Sequence, residues 1–113
     1  MNYSIIFDDT FEKEVKRLSK RYSSLKEDLI TLQEEINANP QLGIDLGGNL
    51  RKIRMRITSK GRGKSGGARV ITFTVVVSID ETEINLLYIY DKSERDSIHP
   101  KEIEELLHKN GLK

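Results

Sequence analysis

Val70-Ile71-Thr72-Phe73-Thr74-Val75-Val76-Val77, the turn Asp80-Glu81-Thr82-Glu83 and Ile84-Asn85-Leu86-Leu87-Tyr88-Ile89-Tyr90 decide the fold. The first run is β-branched almost throughout, a side-chain shape that packs well on a pleated surface and is stiff in a helix. The second is apolar on both parities, which predicts a central strand covered on both faces. Joined by a polar turn, the two predict a hairpin. Immediately upstream, Ile53, Met55 and Ile57 alternate with Lys52, Arg54 and Arg56. A period of two makes this another strand and puts three cations on one of its faces. Residues 58–67, polar and glycine-rich with no periodicity, predict a long flexible hairpin loop between that strand and Val70. Residues 41–49, with Gly43, Gly47 and Gly48, predict a second loop in front of it.

The remainder of the chain reads as helix around this sheet. Phe11, Val15, Leu18 and Tyr22 recur at helical spacing, and Leu25, Leu29, Leu32 and Ile36 do so again after the polar break Tyr22-Ser23-Ser24. The second helix should stop near Asn39-Pro40, because Pro40 lacks an N–H and drives Asn39 out of helical geometry. Residues 3–7 are a short β-prone run ending at Asp8-Asp9-Thr10, three side chains able to cap a following helix. His99-Pro100 opens a final helix whose buried edge is Ile103, Leu106 and Leu107. The order predicts an α+β fold: an N-terminal strand and two-helix hairpin packed on a twisted antiparallel three-strand meander, with a C-terminal helix. At 113 residues, a single domain spanning 1–113 is expected, since two cores would each be too small.

Composition removes several chemistries. There is no cysteine, so no disulfide, thiolate metal site or thiol nucleophile is available. The N-terminus has no basic segment before its short apolar run and turns acidic at Asp8-Asp9, which argues against a signal peptide or membrane anchor and predicts a cytoplasmic location. His99 and His108 do not have a zinc-ligand spacing, and no metal site is expected. The pairs Glu34-Glu35 and Glu104-Glu105 belong to the solvated faces of amphipathic helices.

The net charge of +1 hides a segregation. Arg51, Lys52, Arg54, Arg56, Lys60, Arg62, Lys64 and Arg69 fall in one stretch, and no acidic residue occurs from Gly47 through Ile79. Acids lie before and after it, so a polyanion would meet one face of the protein. Gly61-Arg62-Gly63-Lys64-Ser65-Gly66 matches a dinucleotide-binding pattern literally, but a strand follows instead of a helix, and Thr58 stands where a phosphate-binding loop needs glycine. A cationic loop moulded to a phosphate backbone is the better reading. Cations without a metal or thiol suit RNA cleavage through the substrate's own 2′-hydroxyl, which needs alignment, charge stabilisation and one proton-transfer group.

Leu50-Arg51-Lys52-Ile53-Arg54, the segment Ser59-Lys60-Gly61-Arg62-Gly63-Lys64-Ser65-Gly66-Gly67-Ala68-Arg69-Val70-Ile71 and Leu86-Leu87-Tyr88-Ile89-Tyr90-Asp91-Lys92-Ser93-Glu94 together resemble the RelE/ParE toxin superfamily, in its HigB-like branch. The resemblance implies the toxin of a type II toxin–antitoxin pair, a ribosome-dependent, metal-independent mRNA endonuclease. Its partners would be a cognate antitoxin, in a toxin–antitoxin hetero-oligomer, and mRNA on the ribosome, with no membrane and no cofactor. Family basic residues fall on Lys52, Arg54 and Arg69, and the family's proton-transfer position falls near His99, which can equally serve as a helix cap. These four are the catalytic candidates. Arg56, Lys60, Arg62, Lys64, Tyr90 and Lys92 are the RNA-binding candidates, with Tyr90 suited to base stacking or to the edge of the core. Where many relatives carry another arginine after the last strand, this chain has Ser93, with Arg95 two residues on. The alternatives are a ParE-like inhibitor of DNA gyrase and a catalytically inactive RNA-binding module.

Overall fold

A computed structural model describes residues 2–113. The elements run β1 (Asn2–Phe7), α1 (Asp9–Ser19), α2 (Leu25–Ala38), β2 (Ile44–Gly47), β3 (Leu50–Met55), a 3-10 turn (Thr58–Lys60), β4 (Ala68–Ser78), β5 (Glu81–Asp91) and α3 (Pro100–Lys109). The α+β class and the three helices agree with the sequence reading. The sheet is larger than the expected meander: five strands in the order β1-β5-β4-β3-β2, mixed in direction.

Two strands enlarge it. β1 lies parallel to β5, from Asn2 beside Glu81 to Phe7 beside Leu86. The α1–α2 hairpin follows β1 and covers one face of the sheet. β2, within the segment expected to be only loop, pairs antiparallel with β3 through a bulge between Asp45 and Gly47. All four β2 residues are exposed, so no inward-facing apolar alternation marked it in the sequence.

Two cores form, one on each face of the sheet. On the hairpin side, Phe11, Leu18, Leu25, Leu29, Leu32 and Ile36 pack on Ile53, Met55, Val70, Ile84, Leu86 and Ile89. On the other side, Ile103, Leu106 and Leu107 of α3 pack on Ile71, Phe73, Leu87 and Tyr90. This explains why β5 is apolar on both parities. A register shift opposite Ile71 and Thr72 inserts an extra residue in β5, so Leu86 and Ile89 face one core while Leu87 and Tyr90 face the other.

The helix ends follow the local sequence. α2 stops at Ala38, and Asn39 before Pro40 is extended at φ −143°. His99 precedes α3 with its ring nitrogen accepting the Lys101 amide, and Pro100 follows at the start of the helix. Asp8 occupies the cap position of α1 but makes no side-chain cap bond. It is buried with Oδ2 unpartnered, and burial, with repulsion from Asp9 and Glu83, pushes its carboxyl up to about 6.

Candidate nucleic-acid interface

Strand register brings four of the predicted site residues, Lys52, Arg54, Arg69 and Tyr90, together on the α3 side of the sheet. Arg54 lies opposite Arg69 across β3 and β4, and Arg69 lies opposite Tyr90 across β4 and β5. Residues opposite one another share a face, so the three form a row. Lys52, opposite Ile71, stands one step along the same face, and Arg56 continues its parity just beyond β3. Among the described residues, Lys52, Arg54, Arg56 and Arg62 make no side-chain hydrogen bond or ion pair. Arg54, Arg56 and Arg62 are exposed and Lys52 is half-buried.

Arg69 is different. It is 6% exposed, and its guanidinium donates from Nη1 to the carbonyls of Lys64 at 3.2 Å and Ala68 at 3.1 Å, and from Nη2 to that of Ser65 at 3.1 Å. No carboxylate pairs with it among the described residues. Burial, and then repulsion from Arg54, lowers its pKa from the usual arginine value. A buried cation satisfied only by neutral carbonyls keeps its charge uncompensated, which favours an incoming anion.

Tyr90 is buried, and its hydroxyl has no partner among the described residues. Burial raises its pKa, against the opposing pull of Arg69 and Arg95. Arg95 sits with its guanidinium carbon 5.5 Å from the Tyr90 ring centroid. Its fork holds Glu102 of α3 at 3.0 and 2.7 Å, and Nε donates to the Ser97 carbonyl at 3.0 Å. The sequence reading left Arg95 out of the site residues. Its place over Tyr90 depends on where α3 puts Glu102, which no local spacing encodes.

The 58–67 segment, expected to be a flexible loop, is tied down at its base. Asp28 accepts from the Thr58 hydroxyl at 2.6 Å and amide at 3.0 Å, and Ser24 accepts from the Ser59 amide at 2.8 Å. Lys60, whose side chain is 11% exposed, donates to the fully buried Asp91 carboxylate at 2.7 Å, to the Gly66 carbonyl at 2.8 Å and to the Ser93 hydroxyl. Burial alone would raise the Asp91 carboxyl, but hydrogen bonds from Lys60, Tyr22 and the Ser93 amide outweigh it and hold it down at about 2. A Cβ on Gly67 would lie 2.1 Å from the Met55 carbonyl, so that glycine lets the loop close onto β3 and leaves no vacant space there.

The remaining candidates divide in the same way. Lys64 pairs with Glu35 of α2 at 2.8 Å, both partly exposed. Lys92 donates to the Asp96 carbonyl at 2.8 Å. The exposed His99 accepts the Lys101 amide at Nδ1, 3.0 Å away, its one side-chain hydrogen bond among the described residues. Accepting there requires an unprotonated Nδ1, so in the neutral ring the proton sits on Nε2. The glycine motif runs into β4, not into a helix.

No three His, Asp or Glu side chains among the described residues come together as a metal-binding group, and no helix is long and apolar enough to cross a membrane. The face offers the cations Lys52, Arg54 and Arg56 beside Arg69, a set suited to a phosphate backbone. A family model described as the RelE toxin of the RelE/RelB toxin–antitoxin system matches residues 7–111. The chain thus belongs to the RelE toxin family, and that membership implies an antitoxin partner.

Proposed function

We propose that this toxin is a HigB-like mRNA endonuclease that acts on ribosome-bound message without a metal ion. The observation that carries the reading is the row of Lys52, Arg54 and Arg56, unpaired beside an arginine that has no carboxylate partner. These cations have no counter-charge among the described residues, and a phosphate backbone supplies one.

In the reaction, the 2′-oxygen of one nucleotide attacks the adjacent phosphorus and gives its proton to solvent water. The bond to the 5′-oxygen of the next nucleotide breaks, and that oxygen takes up a proton. The products are a 2′,3′-cyclic phosphate and a 5′-hydroxyl. Arg54 and Arg69 stabilise the charge that builds on the phosphoryl oxygens, while Lys52, Arg56 and Arg62 hold the flanking backbone. The imidazolium of His99, formed when a proton at Nδ1 replaces the bond from the Lys101 amide, is the candidate donor to the leaving oxygen and returns to the neutral ring on donation. Tyr90 supports the floor of the site between Arg69 and Arg95.

The test is to express the toxin without its antitoxin and map the 5′ ends of cellular mRNA. The reading expects new ends inside translated frames, and it expects purified toxin to cut message on programmed ribosomes after chelation of transition metals with magnesium restored. Whole mRNA accompanied by broken DNA would replace it with gyrase inhibition.

A further inference from the structure

The ion pair of Lys60 and Asp91 lies on the hairpin side of the sheet, the face opposite the cationic row: Asp91 is paired with Ala68 and bonded to Tyr22, both of the hairpin-side core. Asp91 is fully buried at the end of β5 and joins three parts of the chain. It accepts from Lys60 of the loop at 2.7 Å, from the Tyr22 hydroxyl of the α1–α2 turn, and from the Ser93 amide at 2.9 Å. A buried ion pair adds little stability over a well-packed apolar pair, because desolvating the charges offsets their attraction. What it supplies is direction, since the ammonium must lie where the carboxylate and its other acceptors meet.

That direction passes to the site through the loop backbone. Four consecutive carbonyls are turned inward: those of Lys64 and Ser65 to Arg69, that of Gly66 to Lys60, and that of Gly67 to the Lys92 amide at 3.0 Å. Arg69 is thus held by the same peptide segment that Lys60 pins. If Lys60 releases the Gly66 carbonyl, the acceptors two and one residues before it lose their place, and the Arg69 guanidinium loses its aim. Arg62 stands on the same loop and moves with it.

We propose that Asp91 is a positioning residue for the cleavage site: through Lys60 it fixes the 58–67 loop, and with it the aim of Arg69 and the place of Arg62, without touching RNA. This rests on the endonuclease reading above. The cations that take most of the backbone, Lys52, Arg54 and Arg56, stand on β3 outside the loop. Loss of Asp91 therefore acts on the rate of cleavage more than on binding.

The experiment uses Asp91→Asn, which keeps the shape and the acceptor for Tyr22 but removes the charge that holds Lys60, together with Lys60→Met and the double variant. Single-turnover cleavage at saturating programmed ribosomes should fall on the order of 10- to 100-fold in Asp91→Asn, the scale of a misplacement of about 1 Å in a catalytic group. Ribosome affinity should stay within about threefold, since the β3 cations are untouched. The double variant should be no slower than the slower single variant, because both act through one contact. Hydrogen exchange of amides 60–67 in the free toxin should accelerate in all three.

A rate loss that multiplies in the double variant, a loss confined to affinity, or unchanged cleavage per folded molecule would each overturn the proposal. Unchanged loop exchange in a folded Asp91→Asn protein would overturn it as well. Should wild-type toxin cut no message, the endonuclease reading fails, and the exchange measurement alone decides whether Asp91 fixes the loop.

Discussion

At the base of the 58–67 loop, Lys60 and Arg69 are largely withdrawn from solvent and surrounded by acceptors. On the adjoining face of β3, Lys52, Arg54 and Arg56 have none among the described residues. The eight cations from Arg51 to Arg69 read as one basic stretch in the sequence, yet the fold divides them evenly. Arg51, Lys60, Lys64 and Arg69 are bonded within the protein, while Lys52, Arg54, Arg56 and Arg62 have no side-chain partner among the described residues. The first set gives the second a fixed frame, and the second is left without a counter-charge from the described residues. A charge run is therefore a poor unit of function: what counts for each cation is whether the fold already supplies its counter-charge.

The largest expected difference between the two regions is in stability. Lys60→Ala strands a fully buried carboxylate and should cost about 3 to 5 kcal/mol, whereas Arg56→Ala on β3 should stay within about 0.5 kcal/mol. Denaturant unfolding measures both, and equal effects would erase the distinction. Asp8 sharpens the same point from the acid side. Its folded pKa of about 6 lies above the ordinary 3.8, so the fold holds a proton that the unfolded chain releases. Stability is lost as pH rises from about 4 to about 6 and stays lost above it. Asp8→Asn should therefore stabilise the protein at pH 7 by about 1 to 3 kcal/mol, a gain that vanishes below pH 4. A loss at pH 7 would show that the buried carboxylate has a partner in solution.

Salt dependence reads the open cations directly. Changing Lys52, Arg56 and Arg62 together to Ala should flatten the log-log slope of RNA or ribosome binding by about two units, at roughly 0.7 per phosphate contact. Lys60, Arg62 and Lys64 changed together should flatten it by only about 0.7, the share of Arg62. Equal slopes for the two triple variants would mean that Lys60 and Lys64 leave their internal partners to reach RNA. At His99 two outcomes are distinguished: as a cap, His99→Ala lowers stability by about 1 kcal/mol and Asn restores it. As a proton donor, both variants lose about 10² to 10⁴ in rate, and the pH profile changes. Cleavage and thermal unfolding of the same two variants separate these roles.

The helices, the β4–β5 hairpin and the cationic parity of β3 were legible because each carries its own periodicity. Ile53 and Met55 against Lys52 and Arg54 is an alternation that only a strand satisfies. β2 was not, because Ile44 and Leu46 are exposed and no buried face disciplines their order. The direction of β1 was hidden too, since parallel pairing with β5 is decided by the path through two helices and not by Tyr3 to Phe7 themselves. At the site, the row of Arg54, Arg69 and Tyr90 could be approached from sequence by strand parity. The retirement of Lys60 into a pair with Asp91 could not, because the two are 31 residues apart and meet only when the loop closes on β5.

The central claim is that the open cations beside Arg69 cut RNA and do not merely hold it. Single-turnover cleavage on programmed ribosomes by Arg54→Ala tests it most directly, because Arg54 is exposed and, among the described residues, unpaired. The rate should fall on the order of 10² to 10³, the usual cost of removing one donor to a developing oxyanion, with thermal unfolding unchanged. Wild-type rates from folded Arg54→Ala and Arg69→Ala proteins would contradict the account.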